Sequence, residues 1–132
     1  MQGNDAVVLQ AEKVMAAHND FGTQGEDIAI RHLRAKGYEI LDKNWRSGHK
    51  EIDIIAMKDD TIVFVEVKAR ANAFYGNPED AVNNRKMRNL INAADAYLRL
   101  NMIDLPCRFD VVAVTGTVNR PYIRHFEQAF RP

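Results

Sequence analysis

Apolar positions recur along the chain with two different periods. Between Asn19-Asp20 and about Lys36, residues Phe21, Gly25, Ile28, Ala29 and Leu33 fall on one face at helical spacing. Gly37 follows immediately and reads as a helix stop. Val7, Val8, Ala11, Val14 and Met15 predict a shorter amphipathic helix within residues 1–18, capped by Asn4 or Asp5. The period then changes to two. Tyr38–Trp45 reads as a strand and Ser47-Gly48 as a turn. Glu51–Met57 and Ile62–Lys68 read as the two arms of a hairpin closed over residues 58–61. Gly76, Asn77 and Pro78 punctuate a loop over 71–78, and Pro78 suits the first turn of a helix that includes Glu79, Asp80 and Ala81. A long helix is predicted over Arg85–Leu100, with Met87, Leu90, Ile91, Ala94, Tyr97 and Leu98 as its buried stripe. Strands follow at Arg108–Thr115 and Tyr122–Phe126, separated by a turn at Gly116. This order predicts an α/β fold: a mixed β-sheet of about five strands flanked by helices. A glycine inside a helix costs about 1 kcal/mol relative to alanine, so Gly25 predicts a close approach of its helix to the sheet.

The composition narrows the class. At 132 residues the chain has material for one domain, expected as a helical extension over 1–18 followed by a single domain over 19–132. Lys+Arg and Asp+Glu are 18 each, so bulk positive charge cannot drive polyanion binding; only local segregation of charge can. The longest apolar stretch, Thr61–Val67, is broken by Glu66 and falls far short of the ~20 residues of a membrane span. No membrane partner and no secretory signal are expected. Cys107 is alone, so it cannot form an internal disulfide; this fits a reducing cytoplasm, with the thiol expected as a small buried hydrophobe.

The hairpin carries the chemistry. A loop at Asp59-Asp60 pairs Lys58 with Thr61, and counting back places Asp53 opposite Glu66 and Glu51 opposite Lys68. All four polar groups then share one face, in strands that are otherwise apolar. A slip of one residue would scatter them. Directly opposed carboxylates destabilise a sheet. Two unit charges at 4 Å repel by about 1 kcal/mol in water and about 4 kcal/mol at an effective dielectric of 20. A divalent cation such as Mg²⁺ (or Mn²⁺) would compensate, since it takes one or two carboxylates together with substrate phosphates. Lys68, beside them, could then orient a water nucleophile or stabilise a phosphoryl oxyanion. The bland alternative is a Glu51–Lys68 ion pair with Asp53 and Glu66 solvated.

Asp53 followed after twelve residues by Glu66-Val67-Lys68 resembles the PD-(D/E)XK motif of the restriction-endonuclease-like nucleases. The chain as a whole resembles the YraN-type family of predicted endonucleases, relatives of Holliday-junction resolvases. The matching stretches are Gly22–Ala29, Asn44-Trp45-Arg46, Glu51–Ala56, Phe64–Arg70 and Arg108–Val112. The resemblance implies a restriction-endonuclease-like sheet, metal ligands Asp53 and Glu66, Lys68 as the catalytic lysine, and Glu26 as a further acid from the first helix. Without it, Glu26 reads as a surface residue that favours the helix dipole. Two positions depart from the pattern: Ile52 precedes Asp53, and Lys50 stands where glycine is usual.

Basic residues flank this acidic centre. Residues 31–50 hold Arg31, Arg34, Lys36, Lys43, Arg46 and Lys50 against Glu39 and Asp42. Arg31, Arg34 and Arg99 read as solvated helix faces. Arg46, Arg70, Arg85, Lys86 and Arg88 are the phosphate candidates, and Tyr75 is the aromatic candidate for stacking on a base. Trp45 and Tyr97 read as packing residues, and His49 lies near the site. The leading expectation is a Mg²⁺-dependent hydrolase of DNA phosphodiester bonds, with branched or junction DNA as one open substrate form. Cutting both strands of a junction would require a symmetric homodimer. The alternatives are a non-catalytic nucleic-acid-binding module that retains a relic site, and an interaction domain whose acids bind no metal.

Overall fold

The computed structural model describes residues 24–70 and 83–132. The predicted helix within 1–18, the start of the next helix at Asn19-Asp20, and Tyr75 with its loop and the turn at Pro78 lie outside the described residues. Helix α1 runs over residues 24–35. It ends as its glycine predicts. Gly37, at φ 92°, donates to the Arg34 carbonyl, and Tyr38 N donates to the Leu33 carbonyl five residues back, each at 3.0 Å. This is a Schellman cap, and Leu33 and Tyr38 bury together beneath it.

Three strands follow: β1 (Glu39–Ser47), β2 (Lys50–Lys58) and β3 (Thr61–Ala69). The β2–β3 turn is the two residues Asp59 and Asp60, at φ 51° and 58°. Two positive values are those of a type I′ turn, whose twist matches the flanking strands. Helix α2 (Asn84–Leu100) is capped by Asn83, whose side chain accepts from Lys86 N at 2.8 Å. Strands β4 (Cys107–Gly116) and β5 (Pro121–Phe130) complete the chain. β5 runs four residues past the predicted Phe126, because Gln128, Ala129 and Phe130 continue its edge against β4.

The sheet order is β1-β2-β3-β4-β5. Only β3 and β4 are parallel, since the connection through α2 returns the chain in the same direction. The expected mixed sheet of five strands is thus present. α1 covers one face with Ile28, Ala29 and Leu33 against Ile54, Ala56, Val63 and Val65. α2 covers the other with Leu90, Ala93, Ala94 and Tyr97 against Ile55, Ile62, Phe64 and Phe109. Trp45 meets Tyr97 edge to face at 5.2 Å, so both are packing residues. Cys107 is a correction: it is exposed, because it stands at the outer end of β4 beyond the helix that covers that face.

Beneath α1 lies a buried polar knot. Arg108 donates to both Asp110 carboxylate oxygens at 2.9 Å and to the Tyr38 hydroxyl at 2.6 Å. His125 Nε2 lies 2.8 Å from Asp110 Oδ2, and Gln128 N donates to Oδ1 at 3.1 Å. An irregularity in the β4–β5 ladder at this point turns Gln128, at φ 50°, toward Asp110. Burial alone would raise the Asp110 carboxyl, yet the His125, Arg108 and Gln128 donors outweigh it and hold the pKa below the usual value.

A Cβ added to Gly25 would meet the Ala69 Cβ at 2.5 Å. The close approach predicted from sequence is therefore real, and it clamps α1 onto the end of β3. Gly25→Ala should lower stability by about 1 kcal/mol, because overpacking exceeds the helix-propensity gain. Gly25→Ala combined with Ala69→Gly should recover most of that loss in urea denaturation. A single variant as stable as the parent would show that the helix is free to move off the strand.

Candidate active site

The hairpin register is the one obtained by counting back from the turn. Its ladder runs from Lys58↔Thr61 to Ile54↔Val65 and stops there. Past that point the strands part. β3 continues against β4, with Glu66 beside Val111 and Lys68 beside Ala113. β2 continues against β1, with Ile52 beside Trp45 and Glu51 beside Arg46. In the fork, Asp53 Oδ2 accepts from Val67 N at 2.9 Å. A carboxylate thus takes the place of a backbone acceptor and ties the two arms together. Strand alternation breaks here as well. Ile52 packs with Ile55 on the α2 side, whereas Ile54 packs on the α1 side.

The fork brings Asp53 and Glu66 into one cleft of about 360 Å³, which Glu51, Lys50 and His49 also line. α2 closes it with Asn83, Arg85, Lys86, Asn89 and Leu90. Glu66 is 4% exposed. Lys86 Nζ lies 2.6 Å from Glu66 Oε1, and Lys68 Nζ lies 3.8 Å from the same oxygen. Burial, then the charge of Glu66, then that of Glu26 push Asp53 up, against the Val67 hydrogen bond and Lys86, to a pKa of about 7. Burial and the neighbouring Lys86 ammonium pull the Lys68 pKa down, against the attraction of Glu66. Burial would lower Lys86 too, but its hydrogen bond to Glu66 and the Glu66 charge outweigh burial and raise it.

The structure therefore brings Asp53, Glu66, Lys68 and Lys86 together. Glu26 sits on α1 within electrostatic reach of Asp53 but is not among the residues lining the cleft. Two expected ladder pairs are corrected, Asp53 opposite Glu66 and Glu51 opposite Lys68; the two acids share the cleft, but beyond the end of the ladder. The ladder has ended before them, and Glu51 instead pairs with Arg46 across β1 at 3.4 Å. Arg46 and Arg85 stand at or beside the cleft, Arg88 is exposed on α2, and Arg70 is exposed just past β3. Arg31 and Arg34 are exposed on α1, and Arg99 pairs with Asp95 on its own helix. Sequence reasoning did not place Asn83 or Asn89 in the site. The signal for Asn83 was its spacing: an asparagine three residues before Lys86 is a helix N-cap.

A family model described as "Uncharacterised protein family UPF0102" matches residues 25–114. The chain belongs to the UPF0102 family. A UPF0102 protein of Phocaeicola vulgatus is 47% identical over 118 residues, spanning 89% of this chain and 98% of that one. One from Porphyromonas gingivalis is 48% identical over 120 residues, 88% of this chain and 87% of the relative. One from Flavobacterium psychrophilum is 45% identical over 116 residues, 88% of this chain and 98% of the relative. The UPF0102 match begins at Gly25, the glycine that sits against β3, and it ends within β4. It therefore contains the whole fork and both lysines.

Among the described residues no group of three or more His, Cys, Asp or Glu side chains forms a metal cage. Asp53 and Glu66 are hard oxygen donors facing one cleft, and Asp53 makes no ion pair among the described residues. That fits a Mg²⁺-type cation, which keeps several waters and accepts substrate phosphate oxygens, better than a caged zinc or calcium. No described helix is long and apolar enough to cross a membrane.

Proposed function

We propose that the protein hydrolyses phosphodiester bonds of DNA with Mg²⁺ or Mn²⁺, and that the forked hairpin is its active site. The observation that carries this reading is the pair Asp53–Glu66 in one cleft with Lys68 and Lys86 beside it. Two acids that share a cleft away from water repel each other, and a cation between them would relieve that repulsion. Asp53 and Glu66 would hold the cation, with Glu26 adding negative charge from α1. The cation would supply Lewis acidity at a phosphate oxygen and a more acidic water.

The chain's own residues do the rest. Lys68, 16% exposed at its side chain, is held on rigid β3 and can orient the attacking water or steady charge on the phosphate. Its lowered pKa leaves more of it in the neutral form, which can accept a proton, than is so for a solvated lysine. Asp53 spans the fork, so its position is set by both strands. The first turn of α2 contains no acidic residue and carries Arg85 and Lys86 toward the cleft. Those cations, with Arg88, Arg46 and Arg70, suit the phosphate backbone, which DNA-binding proteins hold through Lys and Arg. Tyr75 remains the stacking candidate. A second copy of the chain would be needed to cut both strands of a junction.

The test uses purified protein with Mg²⁺ or Mn²⁺ and labelled single-stranded, duplex and four-way-junction DNA. Cleavage is expected in the wild type and expected to fall to background in Lys68→Ala. Salt-sensitive DNA binding without cleavage under either metal would overturn catalysis and leave a binding module. Cleavage that persists in Lys68→Ala would place the activity elsewhere or in a contaminant.

A further inference from the structure

The inference below rests on the nuclease reading of this cleft and concerns what balances its charge before a cation arrives. Glu66 and Asp53 are balanced by different means. Glu66 has the Lys86 ammonium at 2.6 Å and the Lys68 ammonium at 3.8 Å. Asp53 makes no ion pair among the described residues, and its carboxylate accepts from the Val67 amide at 2.9 Å. Glu66 thus already has two ammonium groups beside it, of which Lys86 is the nearer.

Lys86 is held there against its own helix. It lies in the first turn of α2, where the macrodipole favours anions and opposes a lysine. Asn83 fixes that turn by accepting from the Lys86 backbone amide. The attraction that keeps the ammonium over the cleft is therefore Glu66 itself. The side chain is 42% exposed on a flexible four-carbon stem. It can turn out to solvent with no movement of the helix.

We propose that Lys86 is a tethered competitor of the divalent cation: its ammonium holds the Glu66 oxygen the cation needs, and cation entry displaces it toward the bound phosphate backbone. One residue then does two jobs in sequence. It screens the acid pair when the site is empty of cation, and it adds a phosphate contact once the cation is in place. Affinity for the metal is lowered by this competition, and loading of metal is coupled to capture of DNA.

The two alternatives for Lys86 predict opposite signs. A clamp that merely positions Glu66 would weaken cation binding when removed. A competitor would strengthen it. The experiment is a calorimetric titration of Mn²⁺ into wild type, Lys86→Met and Lys86→Arg, all at the same pH. Lys86→Met should bind Mn²⁺ about tenfold tighter, about 1.4 kcal/mol. Lys86→Arg keeps the positive charge and should stay within about threefold of wild type. Binding of single-stranded DNA in the presence of Mn²⁺ should weaken in Lys86→Met, with a salt slope smaller by about one. Lys86→Gln, also neutral, repeats the measurement should the methionine variant fail to fold. Equal or weaker Mn²⁺ binding by the neutral variants, with the wild type binding normally, overturns the competitor role alone. Absence of Mn²⁺ binding in every variant, wild type included, overturns the metal-dependent reading as well.

Discussion

Asp53→Asn should make the metal-free protein more stable at pH 8 while abolishing its response to Mn²⁺. The sign follows from linkage. The Asp53 carboxyl has a folded pKa of about 7 against an ordinary value of 3.8, so the folded state binds the extra proton. A raised carboxyl contributes most stability below the ordinary value and loses it as pH rises through the folded one. Ionised Asp53 therefore costs stability above about pH 7, by about 2 kcal/mol after allowance for water reaching the cleft. Asparagine can still accept from Val67 N, so the tie across the fork survives without the charge. Denaturant melts of wild type and Asp53→Asn should diverge as pH rises from about 4 to about 7, with the variant the more stable at the upper end. His32, whose pKa is lowered by burial, then Lys36, then His125, contributes an opposite trend on acidification that both proteins share. Their difference isolates Asp53. Saturating Mn²⁺ at 100 times its Kd should add about 2.7 kcal/mol to the wild type alone. Equal stabilisation of both proteins by Mn²⁺ would show that the metal binds away from this carboxylate.

The largest loss of stability is expected from Asp110→Ala, on the opposite side of the sheet. Asp110 is fully buried and is met by Arg108, His125 and the Gln128 amide. Arg108 also ties Tyr38 at the start of the sheet to β4, and it reaches Glu127 on β5 at 3.6 Å. Removing one partner of a buried ion pair typically costs about 3–5 kcal/mol, because the other charge is left buried and unpaired. Asp110→Ala should fall in that range by urea denaturation. Asp110→Asn keeps an acceptor and should lose roughly half as much. A double variant, Asp110→Ala with Arg108→Met, should recover part of the loss, since no orphaned guanidinium remains. A loss under about 1 kcal/mol in Asp110→Ala would mean that water replaces the carboxylate and that the knot is looser than its geometry indicates.

Asp53, partly buried, and Asp110, fully buried, have opposite fates because their neighbours differ. Asp53 faces a second carboxylate and one backbone amide. Asp110 faces a guanidinium, an imidazole and an amide. The first is left with unbalanced negative charge, which suits a cation-binding role. The second is neutralised in place, which suits a structural one.

Much of the fold was legible in the sequence because its signals are local. The Gly37 stop of α1, the Asp59-Asp60 turn, the apolar stripe from Leu90 to Tyr97 and the period-two run from Ile62 depend on neighbours a few residues away. The turn also set the hairpin register as far as Ile54 and Val65, just short of Asp53 and Glu66. What the sequence could not settle was where that ladder stops. Glu51 and Lys68 separate because the β2–β3 ladder ends at Ile54 and Val65, where Asp53 accepts from Val67 N, while β2 stays paired with β1 and β3 with β4. The contact of Lys86 with Glu66 is likewise tertiary: it requires α2 to lie across the sheet with its first turn over the fork. Hydrophobic periodicity and turn chemistry determine which segments become helices and strands. Only the packed molecule decides which charges share a low-dielectric cleft, because that depends on distances between residues far apart in the chain.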